Sequence, residues 1–403
     1  MSGFRWDPPT SVVDATWLDT ELRMDRVADV ERGEATLFDG LVGGPEVPFV
    51  LFGAGSLGRR TLAGLRRVGI EPLAFMDNNP ALHGIELDGL AVHPPSNAVR
   101  EFRSAAFIST IWAPLGPLAY PAVADQLRTL GCSRVVSFVP LFWKFSEQFL
   151  PYFMLDLPHR LYRDACEVLA AYALFSDAAS QQEYRLQLSY LLSQMDAVEV
   201  SGVQKPDWYF PKDLIALTPE EVLLDCGAYD GDTLQAFIGA SHGRFRRVVA
   251  FEPDPSAARR LKRLVEVLPP DQAQRVDVQE CAVGAMRGRL AFEGDGTPGS
   301  RLSVAGRCHV DCTTIDSTHF EDAPTFIKMD IEGSEESALL GARRSIREHR
   351  PVLAICVYHR QGDLYRIPNL MRELCTGYRM YLRRQGSDGD LVCFAIPDER
   401  ARD

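Results

Sequence analysis

Short apolar runs alternate with amphipathic stretches along the second half of the chain, from Pro219 onward. The apolar runs predict buried strands, and the stretches between them carry apolar residues at the three- and four-residue spacing of a helix. The predicted strands are 222–226, 248–252, 276–279, 325–330, 352–358, 379–383 and 391–396, with a Gly-Ser-Asp-Gly turn before the last. Strands and helices that alternate and then close in a hairpin predict an α/β fold with a seven-stranded sheet whose last strand is antiparallel.

A smaller α/β pattern occupies residues 46–140. Its predicted strands are 49–52, 72–76, 105–111 and 135–139. Helical patterns separate these strands, so we expect a doubly wound α/β domain that forms its own core.

The first strand of this smaller domain leads directly into a Gly-x-Gly-x-x-Gly loop formed by Gly53, Gly55 and Gly58, and the second strand stops at Asp77. A glycine loop between a strand and a helix, followed by an acidic residue after the next strand, is the context of a dinucleotide-binding fold. We therefore predict a nucleotide site at these four residues. The alternative is that the glycines only allow a tight packing turn.

The remaining segments precede or connect the two domains. Residues 1–45 predict one helix, roughly at 11–33, and the Gly- and Pro-rich residues 40–48 predict a linker. Residues 141–218 have helical spacing and predict a helical connector, which leaves 219–398 for the second α/β domain.

Composition excludes several classes of function. The chain has 403 residues and a formal net charge of −12, which repels nucleic acid and anionic membrane surfaces. No apolar run reaches the roughly 18 residues of a membrane span, and no signal-peptide pattern opens the sequence. The nine cysteines are scattered, as expected for reduced thiols in the cytoplasm. Cys308, His309 and Cys312 offer only three local ligands, so we predict no metal site there.

The loop that follows the first strand of the second domain is acidic and glycine-rich. It runs Asp-Cys-Gly-Ala-Tyr-Asp-Gly-Asp-Thr at 225–233. Gly227 and Gly231 let the backbone turn tightly and approach a ligand without a Cβ atom in the way. Three aspartates repel the phosphates of a dinucleotide but attract a sulfonium and an ammonium group. The loop therefore favours S-adenosylmethionine over NAD.

Two further strands end in residues that suit the same ligand. Glu252 closes the second strand, where a carboxylate can accept hydrogen bonds from both ribose hydroxyls. Ala282 follows the third strand, where small residues can flank an adenine ring. Ligands of open α/β sheets bind at this carboxyl edge, so we predict the donor site there. The predicted donor-binding residues are Asp225, Gly227, Ala228, Tyr229, Gly231, Thr233, Glu252, Ala282 and Asp330.

Three residues on the fourth and fifth strands are candidates for catalysis. Asp330 ends the fourth strand beside the expected methyl donor, and Lys328 shares its strand face. His359 closes the fifth strand, where a neutral imidazole can remove a proton from a substrate hydroxyl while Asp330 orients it or holds the donor's amine. The structural alternatives are an ion pair with Glu332 or Asp330 for Lys328, and a helix cap or solvent contact for His359.

Residues from about 222 to 397 resemble the FkbM-type S-adenosylmethionine-dependent methyltransferases. The matching sequences are the loop at 225–233, Phe-Glu-Pro at 251–253, Ala-Val-Gly at 282–284, Thr-Thr-Ile-Asp at 313–316, Ile-Lys-Met-Asp-Ile-Glu-Gly-Ser-Glu at 327–335 and Tyr-His…Asp-Leu…Ile-Pro at 358–368. The resemblance implies a Rossmann-like methyltransferase fold and O-methylation, commonly of sugars, glycans or polyketide-type natural products.

The glycine loop and Asp77 resemble nucleotide- or nucleotide-sugar-binding domains attached to sugar-modifying enzymes, although no Tyr-x-x-x-Lys pair follows. Three functions therefore remain under comparison. The first is an O-methyltransferase acting on a small-molecule or glycan acceptor. The second is an NAD- or nucleotide-sugar-dependent sugar-modifying enzyme that uses the N-terminal domain, and the third is a two-domain binding protein without catalysis. The acidic loop favours the first over the second, and Asp330 with His359 argues against the third.

Overall fold

The computed structural model describes residue 9 and residues 13–113, 119–193, 208–293, 301–302, 308–318, 321–385 and 390–402. The chain divides into two compact units, Met1–Cys166 with Arg185–Ser201, and Glu167–Tyr184 with Gly202–Asp403. Residues of the predicted connector 141–218 are thus shared between the two units. No helix within the described ranges is long and apolar enough to cross a membrane.

The first unit contains a six-stranded sheet. Its strands are β1 (Phe49–Phe52), β2 (Phe75–Met76), β3 (Glu86–Leu87), β4 (Leu90–His93), β5 (Ala106–Ser109) and β6 (Val135–Ser137), in the spatial order β3-β4-β2-β1-β5-β6. Neighbouring strands pair in parallel except β3 and β4, which form an antiparallel hairpin. All four residues of β1 are buried, as expected for a parallel strand that is covered on both faces.

Helices complete the first unit. They are α1 (Ala15–Glu21), α2 (Val27–Val42), α3 (Ser56–Arg67), α4 (Pro95–Glu101), α5 (Tyr120–Thr129), α6 (Phe138–Lys144), α7 (Ser146–Phe149) and α8 (His159–Arg163), while α9 (Ala165–Leu174) and α10 (Ala178–Leu192) contain residues of both units. The α/β class of this domain is as predicted. The β3–β4 hairpin was not predicted, because strands of two to four residues produce no lasting periodicity.

The N-terminal helix prediction was wrong in its boundaries. One helix was predicted at 11–33, but the structure has two. α1 ends at Glu21, Arg23 has an extended backbone, and α2 runs from Val27 to Val42. Gly33 lies inside α2, and the helix ends at Gly43, whose φ of +95° provides the left-handed cap. Residues 40–42 of the predicted linker are therefore helical, and residues 11 and 12 lie outside the described ranges.

The second unit contains the seven-stranded sheet. Its strands are β7 (Val222–Cys226), β8 (Arg247–Phe251), β9 (Val276–Gln279), β14 (Phe326–Met329), β15 (Val352–Cys356), β16 (Tyr378–Gln385) and β17 (Asp390–Pro397), in the order β16-β17-β15-β14-β7-β8-β9. β17 pairs antiparallel with both β15 and β16, and the other pairs are parallel. The number of strands and the antiparallel closing strand confirm the prediction; the turn at 386–389 lies outside the described residues.

A four-stranded sheet that the sequence did not predict lies between β9 and β14 in the chain. It comprises β10 (Ala282–Val283), β11 (Gly288–Glu293), β12 (Arg301–Leu302) and β13 (Cys308–Thr313), in the order β10-β13-β11-β12. Cys312 is buried on β13 and Cys308 is exposed. The remaining helices are α11 (Asp232–Ala240), α12 (Pro255–Glu266), α13 (Pro270–Ala273), α14 (Glu335–Leu340), α15 (Arg343–His349) and α16 (Asp363–Leu374).

Residues 167–184 cover the outer edge of β16 within the second unit. The Leu382 amide donates to Ser180 Oγ at 2.9 Å, and Arg383 Nη2 lies 2.7 Å from Asp177 Oδ2. Arg384 Nε donates to Glu183 Oε1 at 2.7 Å. These contacts satisfy an edge that would otherwise present unpaired backbone groups.

Candidate active site

A cavity of about 370 Å³ opens at the carboxyl ends of β7, β8 and β14. β7 and β14 are central and parallel, so the loops that follow them meet at one edge of the sheet. The cavity is lined by Trp208, Tyr209, Gly227, Tyr229, Asp232, Thr233, Phe251, Glu252, Pro253, Cys281, Ala282, Val283, Phe292, Lys328, Asp330, Ile331, Glu332, Ser334, Tyr358 and Asp390.

Two glycines let the loop after β7 take its shape. Gly227 has a φ of +81°, and a Cβ atom there would lie 1.9 Å from the carbonyl oxygen of Asp330. Gly231 has a φ of +97°, and a Cβ atom there would lie 2.4 Å from Leu264. A side chain at position 227 would therefore collide with the backbone of Asp330, and one at position 231 would have to displace the Leu264 side chain. Gly227 lines the cavity, whereas Gly231 shapes the turn from outside it.

A buried ion pair lies beneath this loop. Lys328 Nζ lies 3.1 Å from Asp225 Oδ1 and donates to the carbonyl oxygen of Gly227 at 2.7 Å. Burial alone would lower the pKa of Lys328, but the carboxylates of Asp225 and Asp330 outweigh burial and raise it, so the ammonium group stays charged. The pairing expected for Lys328 with Glu332 or Asp330 is corrected to Asp225. The neighbouring strand supplies that partner, which spacing along one strand cannot reveal.

Glu252 presents its carboxylate to the cavity in a fixed orientation. Its Oε2 accepts a hydrogen bond from the Tyr229 amide and its Oε1 from the Asp254 amide, both at 2.8 Å. The side chain is buried, and burial raises its pKa while these two bonds oppose the rise. Each carboxylate oxygen has a second lone pair, so both can still accept a hydrogen bond from a ligand.

The Asp330 carboxylate is the focus of several polar contacts. The Tyr209 hydroxyl donates to Oδ2 at 2.8 Å and the Tyr358 hydroxyl to Oδ1 at 3.3 Å. His359 Nε2 lies 3.1 Å from Oδ1. The partners His359 and Lys328 lower the pKa of Asp330 well below its usual range, against the effect of burial. A quarter of the side chain remains exposed, so an ionised carboxylate faces the cavity.

His359 does not line the cavity and is buried behind Asp330. Its Nδ1 lies 3.0 Å from Glu335 Oε1, so carboxylates stand at both ring nitrogens. Burial alone would lower its pKa, but Glu335 and Asp330 raise it well above 6.5. His359 thus lies behind the cavity wall, and its two carboxylate neighbours favour the protonated ring over the neutral base that the sequence predicts.

Three charged residues cluster here, and we call Asp330, His359 and Glu335 the ion triad. Each offers one oxygen or nitrogen atom of a kind that can bind a metal ion, and these three atoms lie within 4.8 Å of one another. Their charged atoms contact one another as ion pairs, with 3.1 Å between His359 Nε2 and Asp330 Oδ1 and 3.0 Å between His359 Nδ1 and Glu335 Oε1.

The structure brings together most of the predicted donor-binding residues. Gly227, Tyr229, Thr233, Glu252, Ala282 and Asp330 line the cavity, as does Lys328, whereas Asp225, Ala228 and Gly231 lie outside its wall. Thirteen of the twenty lining residues were not among the predicted site residues, and the polar or aromatic ones among them include Trp208, Tyr209, Glu332, Tyr358 and Asp390. Tyr358 precedes His359 and was visible in the motif. Asp390 opens the antiparallel β17, so only the pairing of β17 with β15 reveals that it reaches this edge.

The glycine loop of the first unit has a well-defined geometry of its own. Gly53 has a φ of +108°, and a Cβ atom on Gly58 would lie 1.9 Å from the Gly53 carbonyl oxygen. Asp77 Oδ2 accepts a hydrogen bond from the Ala54 amide at 2.7 Å. Gly55 has no atom within 4 Å of the place of a Cβ. The turn therefore needs Gly53 and Gly58 for its own packing, while Gly55 is not required by it.

Comparison with known proteins identifies the second α/β region. The family model of the methyltransferase FkbM domain matches residues 225–388. A solved structure of methyltransferase FkbM from Methylobacillus flagellatus KT is similar over 95% of this chain and 100% of that chain, with 26% identity and a TM-score of 0.72. The curated proteins contain no match to this chain.

Two other solved structures are similar only at a level that supports no argument. A putative rRNA-methylase from Clostridium thermocellum is 8% identical over 46% of this chain and 90% of its own, with a TM-score of 0.31. UDP-D-quinovosamine 4-dehydrogenase from Vibrio fischeri is 21% identical over 23% of this chain and 76% of its own, with a TM-score of 0.19.

The matched range begins at the acidic loop after β7 and contains Glu252, Asp330 and the ion triad. The cavity thus belongs largely to the matched domain, at the sheet edge where the fold binds its ligands. Residues 225–388 match the methyltransferase FkbM domain, and the protein is an S-adenosylmethionine-dependent methyltransferase.

Proposed function

We propose that the protein is an O-methyltransferase that methylates a hydroxyl group of a sugar, a glycan or a natural product. The observation that carries this proposal is the Asp330 carboxylate, which is ionised, partly exposed and held on the cavity wall by Tyr209 and Tyr358. A carboxylate accepts hydrogen bonds and cannot donate them when ionised, so it selects a group that carries a proton. A hydroxyl acceptor fits that requirement.

The residues of the cavity fit S-adenosylmethionine. Asp232, Glu252, Asp330, Glu332 and Asp390 give the wall five carboxylates, while its one lysine is already paired with Asp225. Such a wall attracts the positive sulfonium and ammonium groups. Gly227 leaves room for the ligand where a side chain would collide with β14. The Glu252 carboxylate suits ribose hydroxyls, and Ala282 with Val283 and Phe292 offers an apolar surface for adenine.

When bound, S-adenosylmethionine supplies an electrophilic methyl group. The acceptor oxygen forms a bond to that carbon as the bond from carbon to sulfur breaks, and the electron pair of the broken bond stays on sulfur. The hydroxyl proton becomes strongly acidic as the oxygen gives up its electrons, so even a carboxylate of low pKa can accept it. Asp330 is placed to accept this proton and to orient the hydroxyl.

Lys328 and His359 take supporting roles in this proposal. Lys328 holds Asp225 and the Gly227 carbonyl beneath the loop, which fixes the floor of the cavity. Its ammonium group remains charged and paired, so it does not act as a base. His359 contacts the face of Asp330 that points away from the ligand.

The proposal is tested with the full chain, radiolabelled methyl donor and a panel of hydroxyl compounds. We expect formation of S-adenosylhomocysteine and a label on acceptor oxygen. Asp330→Asn should lower single-turnover methyl transfer by roughly 10²-fold or more, the usual contribution of proton removal. Asp271→Asn, an exposed change on α13, is the matched control and should not alter the rate. A label on nitrogen or carbon, or a normal rate in Asp330→Asn, contradicts the proposal.

We propose in addition that the first unit binds a nucleotide or nucleotide-sugar at its glycine loop. The supporting observation is that Gly55 is exposed and unnecessary for the turn, next to the start of α3. Gly55→Val should then abolish binding of the nucleotide while leaving the melting temperature unchanged. Calorimetry with NAD and with UDP-sugars tests this, and no binding to the wild-type chain would exclude these ligands.

A further inference from the structure

The ion triad extends from Asp330 on the cavity wall to the buried residues His359 and Glu335. His359 lies between two carboxylates, with Nε2 3.1 Å from Asp330 Oδ1 and Nδ1 3.0 Å from Glu335 Oε1. Glu335 Oε1 also accepts a hydrogen bond from the Ile331 amide at 2.8 Å, which fixes this carboxylate at the start of α14. Glu335 is fully buried and His359 nearly so, and of the three residues only Asp330 lines the cavity.

This arrangement determines how many protons the ion triad holds. A neutral imidazole has one donor nitrogen and one acceptor nitrogen, whereas an ionised carboxylate only accepts. With carboxylate oxygens 3.1 and 3.0 Å from the two ring nitrogens, electrostatic attraction favours the ring that carries both protons. The ion triad then keeps one net negative charge.

We propose that Glu335 is a positioning residue of the methyltransferase, which holds His359 in its doubly protonated form and through it fixes the carboxylate of Asp330. The proposal rests on the role given above to Asp330. Without the Glu335 charge, His359 loses one of its two counter-ions and releases a proton more readily. The Asp330 carboxylate then loses its ion pair with the protonated His359 ring, which lies on the side away from the ligand.

Other charged and titratable groups also face the His359 ring. Asp330 is on the loop after β14, Glu332 lies 3.8 Å from Nε2, and the Tyr358 ring centroid is 4.2 Å from that of His359. Asp363, at the start of α16, interacts electrostatically with both Glu335 and His359, and also with Arg360. Most of these groups are acidic, so they too favour the cationic ring. Of them, Glu335 is the partner nearest to Nδ1.

The experiment uses the full chain labelled with ¹³C and ¹⁵N histidine. The ring carbon and nitrogen signals of His359, assigned with His359→Gln, are followed from pH 6 to pH 9, and the affinity for S-adenosylhomocysteine is measured in parallel. We expect a doubly protonated His359 throughout in the wild type. In Glu335→Gln, the ring should titrate within this range, and the affinity should fall about tenfold, as for other residues that orient a ligand-binding group. Glu336→Gln, an exposed acid on the same helix, is the matched control and should change neither readout.

The outcomes separate this inference from the proposed function. A neutral His359 in the wild type at pH 7 overturns the inference even if Glu335→Gln fails to fold. A variant that only melts at a lower temperature, with an unchanged ring spectrum, shows a purely structural role and also overturns it. If the wild type binds no S-adenosylhomocysteine, the donor site is wrong, while the protonation of His359 and its dependence on Glu335 are still decided by the spectra.

Discussion

At the scale of single residues, two carboxylates on the cavity wall differ in the groups that hold them in place. Glu252 is held by two backbone amides, whereas Asp330 is held by two hydroxyl groups and the imidazole ring of His359. Backbone amides leave the position of Glu252 insensitive to nearby side chains. The Asp330 carboxylate is held by the side chains of Tyr209, Tyr358 and His359, so substitution of one of these residues can shift it.

The role of Glu252 leads to a first prediction. We expect Glu252→Gln to weaken binding of S-adenosylhomocysteine by about 1.5–3 kcal/mol for each lost charge-assisted hydrogen bond to ribose. Glutamine is preferable to alanine here, because its carbonyl oxygen still accepts from one of the Tyr229 and Asp254 amides, whereas alanine would leave both without a buried acceptor. Calorimetry measures the affinity, with the exposed Glu266→Gln on α12 as control. An unchanged affinity in a folded Glu252→Gln variant would remove the ribose assignment.

A second prediction concerns Asp363 and pH. Burial, reinforced by Glu335, raises the pKa of Asp363 to about 7, although His359 and Arg360 oppose the rise. Between pH 4 and pH 7 the folded chain then holds a proton that the unfolded chain has released, so stability falls as the pH rises through this window. Asp363→Asn carries no such proton, and its stability advantage over the wild type should grow across the window by up to about 4 kcal/mol.

Melting curves recorded at intervals from pH 4 to pH 7 measure this advantage. Asp271→Asn on the exposed surface provides the control, and its difference from the wild type should be small at every pH. If the gap between Asp363→Asn and the wild type stays constant, Asp363 is ionised throughout and its pKa is not raised.

At the scale of elements, the turn after β7 is where strand and loop depend most closely on one another. The Gly227 backbone passes so near β14 that a Cβ atom would lie 1.9 Å from the Asp330 carbonyl oxygen. The same backbone carries the carbonyl that accepts from Lys328. This turn thus links the floor of the cavity to the strand that bears Asp330.

We therefore predict that Gly227→Ala destabilises the chain by several kcal/mol and abolishes binding of S-adenosylhomocysteine. The new side chain faces backbone at a φ of +81°, so neither the side chain nor its neighbour can move away cheaply. Gly239→Ala is the matched control, because that glycine lies in α11 with no atom within 4 Å of the new methyl group. It should stabilise the chain by about 0.4–1 kcal/mol. Denaturant unfolding compares the two, and equal effects would contradict the prediction.

At the scale of the whole molecule, the cavity that we propose as the donor site is lined by residues of the second unit. All of the lining residues fall between Trp208 and Asp390. Residues 167–184 also belong to this unit, since they cover the edge of β16 through Asp177, Ser180 and Glu183. Part of the segment expected to connect the domains is thus a component of the methyltransferase unit.

A chain shortened to residues 165–403 should therefore fold and bind S-adenosylhomocysteine with the affinity of the full chain. A chain shortened to 208–403 should melt at a lower temperature, because β16 loses its cover and the buried guanidinium group of Arg384 loses its ion pair with Glu183. Calorimetry and melting curves on the two shortened chains decide this. Equal melting temperatures would show that residues 167–184 do not stabilise the unit.

The sequence by itself determined where the strands of the large sheet lie along the chain and where their acidic ends lie. Strand patterns placed all seven strands of the large sheet, because most of them are continuous apolar runs, while β9 and β16 mix apolar with polar residues. The motif at 225–233 and the acids Glu252 and Asp330 pointed to the cavity, since parallel strands must open onto the same edge.

Only the tertiary structure decided what each charge does. Lys328 pairs with Asp225 from the adjacent strand, and His359 lies behind Asp330 with Glu335 on its far side. The alternation of side chains along a strand predicts which residues share a face. It does not predict which neighbouring strand supplies an ion-pair partner, or which side chain lies nearer to the cavity. The protonation of a buried imidazole ring depends on its charged neighbours and on its loss of hydration, and neither can be predicted from the local sequence.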